Sequence, residues 1–134
     1  VEKSKRALMF FEHGQLIKTY KVSLGQNPKG HKERQGDNRT PEGKYYLTWT
    51  NDRSKFYKSL HVTYPNDEDR KRAWSKGISP GGDIKIHGLP NKPVYGEDIY
   101  MSLNWTNGCI AMRNRDLDDL LSRVNYQTPI YIIP

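Results

Sequence analysis

Trp105-Thr106-Asn107-Gly108-Cys109-Ile110-Ala111-Met112-Arg113-Asn114 holds the only cysteine of the chain, set after a glycine and before a short apolar run. A small or polar residue followed by Gly-Cys suggests a thiol at a tight turn, where consecutive backbone amides can point at a substrate carbonyl. His87-Gly88 lies upstream and closes the alternation Ile84-Lys85-Ile86. A thiol needs a base to become a good nucleophile, and neutral imidazole suits that task. Alone, Cys109 would read as a small buried hydrophobe and His87 as a strand-end polar residue. Together they read as a nucleophile and its base.

Outward from that stretch, the spacing predicts mostly strands. Ala7 to Glu12 and Leu16 to Leu24 are β-type runs around Glu12-His13-Gly14-Gln15, a hairpin signal. Lys44 to Thr50 and Ser59 to Tyr64 are aromatic and β-branched, hence strands. Asp83 to His87 is the strand that delivers the candidate base, and Thr128 to Ile133 closes the chain. Two helices interrupt this pattern. Asn66 caps the first, with Asp67, Glu68 and Asp69 in its first turn and Gly77 after its end. Asn114 caps the second, whose Leu117, Leu120, Leu121 and Val124 share one face. Gly25 to Gly43 reads as a long loop, of the kind that is functional or disordered in a compact domain, and Gly88 to Asn104 as an irregular lid or substrate wall.

Composition bounds the rest. The 134 residues fit one domain, 1–134. Leu, Ile, Val and Phe supply only about a fifth of the chain, but nine Tyr and three Trp offset that deficit. No apolar run approaches the ~20 residues of a membrane span. No signal peptide is visible, so an export signal was removed or lies outside these residues. A net charge of +7 suits an anionic partner. Nucleic acid is disfavoured, because the cations are dispersed and no RNP-like, zinc-finger or P-loop motif is present. His13, His31, His61 and His87 lack close ligand spacing, so no metal and no other cofactor is expected.

The motif residues resemble the L,D-transpeptidase (YkuD-type) catalytic domains of bacterial envelopes. That signature is His-Gly, a variable loop, then Ser/Thr-His-Gly-Cys and an apolar residue, commonly with Arg and Asn after it. Here it reads His87-Gly88, Thr106-Asn107-Gly108-Cys109-Ile110 and Arg113-Asn114. Asn107 stands where most members carry histidine. The form Trp105-Thr106-x-Gly108-Cys109-Ile110-Ala111 is similar to a branch that includes enzymes of the peptidoglycan–lipoprotein link. Gly36-Asp37-x-Arg39-Thr40-Pro41-Glu42-Gly43 is similar to a second family stretch.

The resemblance implies a mainly β fold, a small β-sandwich with two short helices. It implies Cys109 as nucleophile, His87 as base, and the Gly88 carbonyl as orienter of the imidazole. Backbone amides of Asn107, Gly108 and Cys109 would form the oxyanion hole. Arg113 would anchor a substrate carboxylate, sharing a face with Cys109 and Ala111 if that segment is extended. Thr106 and Trp105 would line the substrate site, although Trp105 equally suits core packing. The implied substrates are peptidoglycan stem peptides, cross-linked or joined to an envelope lipoprotein through a thioester. Hydrolysis at the same site, or silent peptidoglycan binding, are the alternatives. A monomer in the periplasm or cell envelope is expected.

Overall fold

The computed structural model describes residues 1–134 as seven strands and three short helices in two sheets. β1 (Ala7–Glu12) and β2 (Gln15–Lys21) form an antiparallel hairpin. His13 and Gly14 both take positive φ, the requirement of a two-residue type I′ turn, so the connection is tighter than the sequence suggested. The other sheet runs β6-β5-β4-β3-β7. It comprises β3 (Gly43–Ser54), β4 (Tyr57–Val62), β5 (Lys85–His87), β6 (Ile110–Ala111) and β7 (Thr128–Ile132). All neighbours are antiparallel except β5 and β6, which run parallel with Ile86 beside Ile110.

Alternation decides which face is which. Leu60, Val62, Ile84 and Ile86 point inward and meet Leu8, Tyr20, Val22 and Leu24 of the hairpin side. Ser59, His61, Lys85 and His87 are the intervening residues, so they share the opposite face of β4 and β5.

α1 (Asp67–Ser75) begins with a capping box: the Asn66 side chain accepts from the Asp69 amide, and the Asp69 carboxylate from the Asn66 amide. α3 (Asn114–Arg123) buries Leu117 and Leu120, with Leu121 and Val124 partly buried against the core. The expected count of two helices is corrected by α2 (Glu97–Ser102), inside the segment read as irregular. Tertiary contacts hold this six-residue helix. The Arg6 guanidinium donates to the carbonyls of Met101, Ser102 and Leu103 at its C-terminal end.

Candidate active site

The long Gly25–Gly43 loop folds over the nucleophile turn. The Lys3 ammonium donates to the carbonyls of Gly30 and Thr40, each at 2.8 Å, and the Gly25 amide to the Thr40 hydroxyl. Asp37 gathers the loop's centre, accepting from Lys32 Nζ and from the amides of Glu33, Arg34 and Arg39. Burial pushes the Asp37 carboxyl up, but these four donors outweigh it and hold the pKa at about 2.

Gly108 is required twice at the turn. Its φ is +134°, and a Cβ there would lie 2.7 Å from the Arg39 carbonyl oxygen. Thr106 braces the same turn. Its hydroxyl accepts from the Gly108 amide at 3.1 Å and donates to the Cys109 carbonyl at 2.6 Å. Thr106 is therefore buried and occupied, and a substrate would not find its hydroxyl free. The Gly108 amide is spent as well. The amides of Asn107 and Cys109, by contrast, have no partner within the protein.

Cys109 and His87 line one cleft of about 560 Å³, together with Trp105, Thr106, Asn107, Phe56, Asp83, Lys85 and Lys32. His87 is 4% exposed, with Phe56 stacked on it at 4.5 Å and Trp105 edge-on at 5.7 Å. Its Nδ1 lies 2.8 Å from the Gly88 carbonyl oxygen. A carbonyl only accepts, so Nδ1 carries the proton and Nε2 keeps the lone pair. Burial drives the pKa of His87 down to about 4, against the pull of the Gly88 carbonyl. The imidazole is neutral at physiological pH.

The thiol is also protonated. Burial raises its pKa, the Lys85 backbone amide directed at sulfur lowers it, and the Asp83 carboxylate raises it. In the free protein Sγ–H donates to the Asp83 carbonyl at 3.5 Å, and no hydrogen bond joins sulfur to His87. The pair is thus a thiol beside a basic nitrogen, with no ion pair formed in advance.

Arg113 is placed differently from the sequence reading. The extended run ends at Ala111, and Arg113 turns to become the N-cap residue of α3. Its guanidinium meets Glu97 at 2.7 Å and Asp98 at 3.6 Å, both in the first turn of α2, and it does not line the cleft. Asn114 departs as well: its side chain accepts from the Leu89 amide, where Gly88 leaves no room for a Cβ. Trp105 does both things considered for it, lining the cleft and packing on Tyr100 at 5.3 Å. Lys85 and Phe56 were not singled out from sequence. Alternation with His87 could have found Lys85; nothing local marks Phe56, which reaches His87 from the β3–β4 hairpin tip.

A larger apolar cavity of about 720 Å³ opens on the core side between the N-terminus, the hairpin and β7, and carries no nucleophile. Cys109 and His87 lie on the smaller cleft.

The description "L,D-transpeptidase catalytic domain" (YkuD) matches residues 1–132, and the chain belongs to that family. It is 30% identical over 115 residues to YafK of Escherichia coli (strain K12), a candidate L,D-transpeptidase by name. That match covers 84% of this chain and 39% of YafK, so the chain spans well under half of this relative. Among solved structures, the helical cell shape determining protein Pgp2 of Campylobacter jejuni superposes with a TM-score of 0.75 at 24% identity. It covers 98% of this chain and 45% of Pgp2. The Enterococcus faecium L,D-transpeptidase C442S mutant gives 0.63 at 13% identity, covering 99% of this chain and 48% of that one. At these identities the structures speak for the fold.

Proposed function

We propose that this protein is a cysteine-dependent acyl transferase acting on peptidoglycan stem peptides in the cell envelope. The observation that carries the reading is the cleft shared by Cys109 and His87, with the free Nε2 of the imidazole set by Gly88. Substrate entry turns Sγ from the Asp83 carbonyl toward Nε2, which takes the thiol proton as sulfur attacks a stem-peptide carbonyl. The amides of Asn107 and Cys109 receive the oxyanion, and each such donor contributes about 2.7–4 kcal/mol to lowering the barrier. The C–N bond breaks, His87 returns its proton to the leaving amine, and a thioester remains. An acceptor amine then loses a proton to His87, forms the new amide and expels the thiolate, which is reprotonated.

The acceptor is an amine of a neighbouring stem or of an envelope lipoprotein, the latter in keeping with the Trp105–Ala111 sequence form. A second reading has water as acceptor, making the site an L,D-peptidase. It rests on the same Trp105-Thr106-x-Gly108-Cys109 form. Incubation with purified peptidoglycan, followed by mass analysis of muropeptides, tests both. New cross-linked dimers support transfer and shortened stems support hydrolysis. An unchanged profile equal to that of Cys109→Ala contradicts either enzyme and leaves a binding module.

A further inference from the structure

Opposite β4, strand β3 carries a bulge. Leu47 pairs with Val62 and Thr50 with Leu60, so Thr48 and Trp49 together stand against His61. A bulge re-aims side chains. Plain alternation from the buried Tyr45 and Leu47 would send Trp49 inward; instead it is 60% exposed. Its indole lies flat on the His61 imidazole, with centroids 3.9 Å apart and planes 12° from parallel.

This stack belongs to a row that reaches the nucleophile. His61 pairs with Lys85 across β4 and β5. The parallel register of Ile86 with Ile110 then puts Cys109 beside Lys85, whose amide faces the sulfur. Trp49, His61, Lys85 and Cys109 thus cross the sheet in order, three strand steps that span about 14 Å at ~4.8 Å each. The fold alone does not account for two features of the row. A large aromatic side chain is exposed with one face stacked, and His61 Nδ1 is buried with no hydrogen-bond partner, as is Thr48 Oγ1 at the same bulge. Burial lowers the pKa of His61, with Asp83 opposing and Lys85 assisting, so the ring is neutral, and Nε2 is the nitrogen left to meet a ligand.

We propose that the Trp49–His61 shelf, with Lys85 at its inner end, is a saccharide subsite that takes an N-acetylated pyranose of the glycan strand. The C–H face of a pyranose stacks on an indole, and its hydroxyl and acetamido groups match His61 Nε2, the ring nitrogen that is not buried, and the Lys85 ammonium, which also pairs with Asp83 at 3.1 Å. The spacing fits a substrate in which the sugar and the reacting carbonyl are joined by a short peptide. Three to four extended residues cover about 10–13 Å at ~3.3 Å per residue. With the carbonyl at Cys109, the sugar lies over Trp49. The inference rests on the stem-peptide reading of the cleft and adds the glycan to what the enzyme recognises.

Two measurements test it. In Cys109→Ala protein, the indole N–H resonances are followed by NMR during titration with a peptide-free N-acetylglucosamine–N-acetylmuramic acid oligosaccharide. The Trp49 resonance should shift, and Trp49→Ala should abolish the binding; an unmoved Trp49, or equal binding by Trp49→Ala, overturns the subsite. In the second measurement, kcat/KM on a disaccharide-bearing stem should exceed that on the bare stem by about tenfold, equivalent to 1.4 kcal/mol. Trp49→Ala should bring the ratio near one and Trp49→Phe should keep part of it, whereas a ratio near one in the unmutated protein overturns the proposal. A Trp49 shift without turnover on either substrate supports the subsite while removing the acyl-transfer reading. Equal turnover on both without a shift removes the subsite alone.

Discussion

His87 is buried, and its pKa of about 4 lies below the ordinary 6.5, which fixes the sign of its effect on stability. Between these values the unfolded chain binds a proton that the folded chain refuses, so stability falls as pH drops through that window. The total is about 3 kcal/mol at ~1.36 kcal/mol per unit. Thermal melts of His87→Gln should therefore be flatter than those of the parent between pH 4 and 6.5. Both should still lose stability at lower pH, where Asp37 is protonated. Parallel curves throughout would show that the imidazole is not held neutral. The raised thiol pKa makes a companion prediction: alkylation of free Cys109 by iodoacetamide should be slow at pH 7 and still climbing past pH 9, the ordinary thiol value. A plateau at neutral pH would reveal a preformed thiolate. Gly108→Ala belongs to this scale too. With φ at +134° and the Arg39 carbonyl 2.7 Å from the new Cβ, it should lower stability by at least ~1–3 kcal/mol and misalign the Asn107 and Cys109 amides. Denaturant melts and stem-peptide turnover should both register it.

At the scale of elements, the parts written in periodicity were legible and those written in tertiary contacts were not. The hairpin, the strands, α1 with its Asn66 cap and the Leu117–Leu120 face of α3 all follow local patterns. α2 was missed because six residues carry too few turns for a period, and because Arg6 and Arg113 hold it from afar. The expectation for Arg113 failed for a related reason: four residues past Cys109 is a spacing along an extended chain, and the chain turns at Met112 to start α3. Its acidic partners at Glu97 and Asp98 were visible in the sequence, but nothing local brings them near. Arg113 thus fastens α2 to the start of α3. Arg113→Ala should speed amide hydrogen exchange across Glu97–Ser102 and cost only about 0.2–1 kcal/mol globally, as for partly exposed ion pairs. Unchanged exchange there would show that Arg6, the Ser23 hydroxyl on the Tyr100 carbonyl and the packing of Tyr100 and Met101 hold the helix without Arg113.

For the whole molecule, one sheet separates two environments: Leu60, Val62, Ile84 and Ile86 build the core, while Ser59, His61, Lys85 and His87 share the opposite face. Cys109 and His87 could be paired from sequence because the motif names them, whereas the contributions of Phe56 and Lys85 depend on how hairpin and sheet converge. The proposed acyl transfer puts the acyl group on Cys109, where intact-protein mass spectrometry under acid quench can detect it. During turnover of a stem peptide, an adduct equal to the acyl fragment should appear, located on Cys109 by digestion and absent from Cys109→Ala, which should also lose turnover. Turnover that survives in Cys109→Ala, or an adduct on another residue, would contradict it.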